Sequence, residues 1–395
     1  MKECNKYYIV TIGKLHLIRI STNIIEILAN LLLYIYWSVI IFNFTVGMDS
    51  SKYYYLRPLM NILALVLVFY KVRRNQIIYI RRIFLFIILT FALGFVSSIY
   101  NHVYQISDYI YAIFASSGIA LLMLQFKMYK ITSNALYWIF VIKFIIYFVQ
   151  NSGNMWYFLE AGGNSRNYIS VILFILTSFI FMSYGYRKGR NKYLYVVSIV
   201  DLILCILSVG RGGIISGFLL LFLMIYVWLK KSNLKQTLFR IIVVLLLAIV
   251  VYLYVVSNGF TDIILGGFAT NGTDTPRTME IWLPYINKLK NPFNLLFGAN
   301  YLDYISNYGH LHNSYLMVHV RFGLCAVVIL VVMLIKASNK IWKNNPFLGM
   351  LILVFMVRAF TDSMISFNYC DSVVLYWLFI SLKKGDDLNE AKKTT

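Results

Sequence analysis

The feature that most constrains this chain is its succession of long apolar runs, which short basic loops interrupt. A helical run near 20 apolar residues matches the hydrocarbon thickness of a bilayer and satisfies its own backbone hydrogen bonds there. We predict about twelve spans, at residues 24–44, 57–70, 83–100, 108–125, 134–150, 167–185, 193–209, 212–229, 239–256, 314–335, 346–361 and 372–382. The expected fold is all-α, a polytopic integral membrane protein in which residues 1–395 form a single transmembrane domain.

Membrane topology explains the net charge of +21 better than nucleic acid binding does. Most lysines and arginines lie in alternate loops, as the positive-inside rule requires for cytoplasmic loops. This predicts that both termini are cytoplasmic and that the basic loops face anionic lipid headgroups. Membrane lipids are therefore expected partners, and nucleic acid is not. The four cysteines have no paired spacing, so neither a disulfide framework nor a metal site is predicted.

One loop, residues 257–311, is far longer than the others and is predicted on the outer side, between the ninth and tenth spans. Within it, Pro276 suits the first turn of a helix, and apolar residues recur at helical spacing. We therefore predict an amphipathic helix near 276–290, which lies in the membrane interface or caps a cavity. Its expected apolar face consists of Met279, Trp282, Ile286 and Leu289.

A very short gap between two apolar runs carries an arginine. Residues 193–229 form two runs with almost no loop, and the gap reads Ser208-Val-Gly-Arg211-Gly-Gly. A guanidinium in lipid is costly, about 2.5–3.5 kcal/mol at the centre of a bilayer. The flanking glycines leave Arg211 without bulky neighbours, which favours an anionic ligand. The alternatives are a pair between Arg211 and Asp201, a capped helix end, and glycines that serve only close packing.

Further charged residues are predicted on the same outer side as Arg211. They are Arg166, Arg277, Glu280, Asp303, His310, His312, Arg358 and Asp362. Arginines bind phosphate oxygens in planar, bidentate contacts, and histidine takes up protons near neutral pH. This combination suits glycosyl transfer from a lipid diphosphate, in which arginines stabilise the leaving group and a histidine activates the acceptor hydroxyl.

Each of these residues also has a simpler interpretation. Arg277 is a solvated charge if its helix is exposed, and His312 is an interfacial polar residue at the start of its span. Arg358 lies about one turn inside its span, from where a long side chain reaches the interface.

Arg321 lies nine residues after His312 and therefore deeper in the same span. An intramembrane arginine is a functional candidate by default, because a charge in lipid is costly. A structural ion pair is the alternative, with Asp201 or Glu26 as the partner.

Motifs of nucleotide-dependent enzymes are missing from the sequence. There is no Walker motif, and a DxD-like pair of carboxylates in a loop is missing too, apart from Asp386-Asp387 near the C-terminus. Metal-dependent transfer from nucleotide sugars normally uses such clustered carboxylates. We therefore expect a metal-independent reaction without a cofactor, on the outer side, with a lipid-linked donor.

Three segments resemble motifs of the O-antigen ligase/polymerase superfamily. Residues 208–213 (SVGRGG) resemble its S-x-S-R-G segment, with Gly210 in place of the second serine. Residues 275–277 (TPR), followed by Trp282 and by residues 297–298 (FG), resemble its large outer loop.

The third segment is similar to the ligase motif of this superfamily. His312-Asn313 is followed by Gly323 at the expected distance, but Ala326 stands where Gly, Thr or Tyr is usual. The departures affect the ligase assignment more than the superfamily assignment. All three segments occur in the right order and on the same predicted face.

The resemblance implies membership of the Wzy-like polymerases and WaaL-like ligases, which are GT-C-like membrane glycosyltransferases. These enzymes transfer glycan from undecaprenyl diphosphate outside the bacterial cytoplasmic membrane, with inversion and without metal. By this resemblance, Arg211 and Arg277 bind the diphosphate and His312 is the base, with Glu280 or Asp303 as alternative bases. Candidate substrate-binding residues are Arg166, Glu280, Trp282, His310, Asn313, Arg321 and Arg358.

The function predicted from the sequence is polymerisation of lipid-linked oligosaccharide repeat units into a capsule, exopolysaccharide or O-antigen. The expected partner is an undecaprenyl-diphosphate-linked oligosaccharide, and a chain-length regulator is a further candidate. A ligase that moves glycan to a lipid or protein acceptor is the nearest alternative. A flippase or secondary transporter is disfavoured, because the charges cluster on one side and no inverted repeat is visible.

Overall fold

The computed structural model describes residues 11–12, 15–16, 22–46, 50–72, 77–152, 158, 167–185, 192–208, 210–229, 277–302, 311–365 and 370–383. Within them the chain is helical, apart from a two-residue antiparallel pair, β1 (Thr11–Ile12) and β2 (Leu15–His16). The ninth predicted span, 239–256, and residues 257–276 of the long loop lie outside the described residues.

The described helices follow the predicted apolar runs. They are α1 (Thr22–Val46), α2 (Ser50–Lys71), α3 (Ile77–Asn101), α4 (Ile106–Gln125), α5 (Lys130–Gln150), α6 (Tyr168–Tyr184), α7 (Lys192–Leu207), α8 (Arg211–Leu229), a π-helix (Arg277–Trp282), α9 (Leu283–Lys288), α10 (Pro292–Phe297), α11 (Ser314–Trp342), α12 (Pro346–Arg358) and α13 (Asp371–Leu382). Each predicted run that falls within the described residues coincides with one helix.

Among the described residues, five helices are long and apolar enough to cross a membrane. They are Asn23–Val46, Ile78–Asn101, Ile106–Gln125, Lys130–Gln150 and Ser314–Trp342. Four further apolar stretches are shorter: Tyr168–Tyr184, Gly212–Val227, Pro346–Arg358 and Asp371–Leu382. The chain is therefore a helical protein with several membrane-spanning segments, and the total of twelve spans stays a prediction.

The helices pack around one large apolar core, whose most buried members include Trp37, Tyr137 and Trp377. On the outside of the bundle, many large apolar side chains are exposed; Phe69 and Phe222 are 65% and 66% exposed. In water such a surface would associate with other apolar surfaces. In a bilayer the acyl chains cover it, which fits the membrane assignment.

One end of the bundle gathers the polar side chains discussed below, and we call it the site end. There α4, α6, α8, α11 and α13 begin, and α3, α7 and α12 end. The backbone N–H of Ser314, at the start of α11, donates to the carbonyl of Ala359 after α12 (2.8 Å). The hydroxyl of Tyr168, at the start of α6, donates to the carbonyl of Ser363 (3.0 Å).

Basic side chains gather at the opposite end. Arg82 donates to the carbonyl of Leu382 (3.4 Å), and Lys340 donates to the carbonyl of Ile380 (3.2 Å). Both carbonyls belong to the last turn of α13, where the helix dipole is negative and favours cations. The end that the sequence analysis predicts to be cytoplasmic is thus the end away from the site.

The long loop carries its helix within the described residues, as the π-helix (Arg277–Trp282) followed by α9 (Leu283–Lys288). Ile281 and Tyr285 are fully buried, and Trp282 and Leu289 of the predicted apolar face pack against the same small core. Ile286, which also belongs to that face, is 49% exposed. The predicted face is therefore buried only in part.

Helix α11 is broken near its middle. Gly323 has φ 76° and ψ −179°, so the helical hydrogen-bond ladder is interrupted there. Side chains of neighbouring helices bond to the carbonyls at the break: Asn101 donates to Val320 (2.7 Å), and the Tyr109 hydroxyl donates to Arg321 (2.8 Å). Donors from α3 and α4 thus replace missing helical donors, as buried carbonyls require.

Two glycines form the contact between α10 and this break. A Cβ atom at Gly298 (φ 86°) would lie 2.6 Å from the carbonyl oxygens of His319 and Val320. A Cβ atom at Gly323 would overlap the carbonyl oxygen of Leu296. Both glycines belong to the segments that resemble superfamily motifs, and here they allow the long loop to pack on α11.

Gly323→Ala should therefore destabilise the protein far more than Gly185→Ala. Gly185 has a similar φ of 62°, but nothing lies within 4 Å of a Cβ atom there. The control change should cost only the strain of this positive-φ conformation, about 1–3 kcal/mol, while Gly323→Ala adds a backbone clash. Thermal unfolding in detergent measures both; equal shifts in Tm would contradict the packing described.

Candidate active site

The turn between α7 and α8 lies against the end of α12. α7 ends at Leu207 and α8 begins at Arg211. A Cβ atom at Gly212 would lie 2.6 Å from Thr361 Oγ1 and 3.0 Å from Arg358 Nη1. Glycine permits this approach because it has no side chain. The arginine-bearing gap of the sequence thus places the first turn of α8 beside a second arginine.

Arg358 is buried, with 1% of its side chain exposed. Its Nε donates to Ser170 Oγ (3.2 Å) and its Nη1 to Thr361 Oγ1 (2.6 Å). Its Nη2 donates to the Asn167 carbonyl (2.9 Å) and lies 3.4 Å from Asp362 Oδ2. A buried guanidinium requires such acceptors. Arg358 thus ties α6 to α12, and its side chain does not extend to the interface.

Asp362 connects Arg358 to His312. The Asp362 carboxylate is buried; its Oδ1 accepts from the Ser363 N–H (3.0 Å) and lies 3.9 Å from His312 Nδ1. That distance exceeds a direct hydrogen bond but permits an ion pair with a protonated imidazole. The His312 side chain remains 20% exposed. The imidazole therefore has a buried carboxylate on one side and access to the surroundings on another.

The backbone holds His312 in an uncommon conformation. His312 has φ 49°, in the left-handed region that non-glycine residues rarely adopt. The residues after it are fixed: the Asn313 side chain accepts from two N–H groups in the first turn of α11, at 2.9 and 3.1 Å. Ser314 Oγ donates to the Asp362 carbonyl (2.7 Å). Asn313 thus acts as a helix cap, and its predicted contact with substrate stays a prediction.

The helical part of the long loop docks beside His312. Trp282 Nε1 donates to the carbonyl of Leu311 (2.7 Å), the residue before His312. A small apolar core consists of Ile281, Tyr285, Ala299, Tyr301, Leu311, Met317 and Val320. The π-helix that begins at Arg277 is thereby fixed near the start of α11, and Glu280 within it is exposed.

Arg321 does not join this group. Its Nη2 donates to the Tyr104 hydroxyl (2.9 Å), and its guanidinium carbon lies 4.4 Å from the centre of the Tyr104 ring. The Tyr104 hydroxyl in turn lies 3.0 Å from that of Tyr301. Arg321 thus contacts the connection between α3 and α4, which in turn contacts the long loop through Tyr301. The role of Arg321 in substrate binding stays a prediction.

The carboxylates considered as partners of the arginines have other contacts. Asp201 is fully buried and accepts from Tyr137 (2.9 Å) and Thr177 (2.6 Å) through its two oxygens. Glu26 pairs with Lys71 at 3.2 Å. The pairs of Arg321 with either carboxylate are therefore not formed. Asp201 instead joins α5, α6 and α7 through hydroxyl groups.

The described part of the chain does not include all of the candidate site residues. It leaves out Arg166, Asp303 and His310, and the side chains of Arg211 and Arg277. Within the described residues, no group of three or more His, Cys, Asp or Glu side chains is arranged to hold a metal ion. Burial raises the pKa of the Cys370 thiol well above its usual range, so this thiol is protonated at neutral pH.

Asp362 is predicted on the outer side, but it is not among the site residues predicted from the sequence. Its spacing indicates a pair with Arg358, because it follows that arginine by four residues at the end of a helix. Its approach to His312 depends on a contact between chain segments 50 residues apart, which spacing along the chain does not reveal.

The fold and this arrangement define a helical membrane protein with a polar cluster at one end of its bundle. A comparison with models of protein families finds no match, and comparisons with curated proteins and with solved structures find none either. The polar cluster is therefore interpreted from its own chemistry and from the motifs in the sequence.

Gly212→Ala should destabilise the protein, whereas Gly210→Ala should leave it nearly unchanged. A methyl group at residue 212 would press on Thr361 and Arg358, and overpacking of this kind costs about 1–3 kcal/mol. At residue 210 the nearest atom would lie 3.5 Å away, an ordinary contact. Thermal unfolding in detergent would decide; a stable Gly212→Ala protein would contradict the contact between α8 and Arg358.

Proposed function

We propose that the protein is a membrane glycosyltransferase that joins undecaprenyl-diphosphate-linked oligosaccharide repeat units into a surface polysaccharide. In this proposal the site end faces outward from the bacterial cytoplasmic membrane, and the basic end faces the cytoplasm. The reaction needs no metal and inverts the configuration at the anomeric carbon. The three sequence segments that resemble the O-antigen ligase/polymerase superfamily support this assignment.

One observation carries the proposal. A continuous set of contacts links the first turn of α8, Arg358, Asp362 and His312, and Trp282 attaches the long loop beside them. Segments far apart in the sequence, which include both candidate diphosphate-binding arginines and the candidate base, thus meet at one end of the bundle. A site for glycosyl transfer from a lipid diphosphate needs cations for the leaving group next to a base for the acceptor.

His312 takes the role of general base in this mechanism. Its Nδ1 faces the Asp362 carboxylate, and in the proposed mechanism its Nε2 accepts the proton of the acceptor sugar hydroxyl. Asp362 orients the imidazole and stabilises the imidazolium that forms, as the carboxylate of a catalytic triad does. Asp362 is therefore a positioning residue, and Arg358 in turn fixes its carboxylate. Catalytic contacts often shorten when substrate binds, which accommodates the 3.9 Å separation.

The bond changes follow from this placement. The acceptor hydroxyl loses its proton to His312 and its oxygen attacks the anomeric carbon of the donor sugar. The bond between that carbon and the diphosphate oxygen breaks, and undecaprenyl diphosphate leaves with the additional negative charge. Arg211 and Arg277 stabilise this charge. Arg211 is also the first residue of α8, where the helix dipole favours anions.

Arg211→Ala and Arg277→Ala should each lower polymer formation by roughly 10²–10³, the usual effect of losing one charge-stabilising donor. The variants would be expressed in a deletion strain, with polymer length read on gels and protein amount measured in the membrane. Arg81→Ala is the matched control, since Arg81 is exposed near the opposite end of α3.

The glycans that remain distinguish the alternatives. Single repeat units indicate loss of a polymerase, long chains on the lipid carrier indicate loss of a ligase, and lipid-linked units trapped inside indicate loss of a flippase. Wild-type polymer from both Arg211→Lys and Arg277→Ala proteins would exclude the diphosphate clamp.

His312→Gln should remove the acidic limb of the pH–rate profile, because no imidazole then needs to lose a proton before reaction. Asp362→Asn should lower kcat by about 10²–10⁴ with little change in KM, and Asp362→Glu should restore part of the rate. Purified protein with a lipid-linked donor would be assayed, and thermal unfolding would check folding. An unchanged profile for His312→Gln would make Glu280 the next candidate base.

A further inference from the structure

An apolar crevice opens beside the candidate active site. It lies between α3, α4, α11 and α13, has a cavity volume of about 120 Å³ and is partly open to the surroundings. Its walls are formed almost entirely by aliphatic and aromatic side chains, with Thr90 and Asp371 as its polar residues. The Thr90 hydroxyl donates to the Phe86 carbonyl within its own helix (2.8 Å).

The crevice begins at the site end and runs into the bundle. Ile365, three residues after Asp362, and Val318, six residues after His312, line its upper part. From there it follows α13 from Asp371 to Leu378. Seven residues of helix correspond to about 10 Å. The crevice is therefore a slot that descends from the polar cluster, with its carboxylate at the top and apolar walls below.

One wall of the slot adjoins the lipid. Only 22% of the apolar stretch of α3 is buried inside the protein, the smallest share among the five long apolar helices described. Leu89, which lines the slot, is 47% exposed. A chain lying in the slot can therefore continue into the bilayer without crossing the protein. Below Asp371 the walls are almost entirely apolar and hold water poorly, so this part of the slot suits an apolar occupant.

We propose that this slot binds the first isoprene units of the lipid carrier, with the attached diphosphate at the site end beside Asp362 and His312. This inference rests on the proposed function and identifies where the non-reacting part of the donor is held. The charged diphosphate stays above the apolar walls, because a charge among them would lose its water without gaining a polar partner. The slot thus fixes the depth at which the anomeric carbon meets His312.

Filling the slot should remove a preference for long isoprenoid chains. Ala112→Phe and Ala326→Phe place rings in the slot, whereas Ile110→Phe and Val328→Phe are controls on the same two helices, at positions that are 43% and 53% exposed. Turnover would be compared for a repeat unit on undecaprenyl diphosphate and for the same unit on a two-isoprene diphosphate. The filled variants should lose about tenfold in kcat/KM for the long donor and keep the rate with the short one.

Equal losses of kcat/KM with both donors, or equal losses in the control variants, would contradict binding of the isoprenoid chain in the slot. Thermal unfolding of each variant shows whether a ring has disturbed the fold. Because a variant can fail to fold, a photoreactive undecaprenyl phosphate provides a second test on the wild-type protein. It should label peptides from the helices that line the slot, α3, α4, α11 and α13, and labelling confined to other helices would equally contradict binding in the slot.

A binding measurement separates this inference from the proposed function. Native mass spectrometry of the full chain would compare retention of undecaprenyl phosphate with that of phosphatidylglycerol. If the filled variants lose retention of the isoprenoid alone, the slot is supported, even if the wild-type protein makes no polymer. Absence of polymer would refute only the proposed function. Equal loss of both lipids would show a general acyl-chain crevice and overturn the isoprenoid assignment.

Discussion

The buried guanidinium of Arg358 is the interaction on which the site end depends. A charge in an apolar bundle is stable only if protein groups replace its water, and leaving it unpaired costs about 3–5 kcal/mol. The Asn167 carbonyl, Ser170 and Asp362 supply those groups, which draws α6 and the segment after α12 together. Gly212 allows α8 to join them. The carboxylate that faces His312 is thus held by the same guanidinium.

The break in α11 explains how the long loop reaches this cluster. A straight helix would leave no carbonyls for α3 and α4 to bind and no space for α10. The positive φ of Gly323 provides both, and Gly298 brings α10 into backbone contact with the break. His319 then secures the loop: its Nε2 donates to the Leu295 carbonyl (2.7 Å), and its Nδ1 accepts from Tyr285 (2.7 Å). The loop helix is therefore part of the fold and is anchored on α11.

The helices could be predicted from the sequence because each apolar run carries its own length signal, and the described helices coincide with those runs. The π-helix at Arg277–Trp282 could not, since hydrophobic periodicity assumes α-helical turns. The surroundings of Arg358 could not be predicted either. Asn167 and Ser170 lie nearly half a chain away, and a buried arginine has the same sequence signature as one that reaches the interface.

The distribution of charge favours a transferase over a transporter. Alternating access needs polar groups that line a path from both ends to a central site. Within the described residues, the polar cluster with His312 lies at the site end, and Arg82 and Lys340 bind helix carbonyls at the opposite end. The carboxylate between them, Asp201, is fully buried and bonded to Tyr137 and Thr177. A one-ended site suits a reaction in which both substrates arrive and the product leaves on the same side of the membrane.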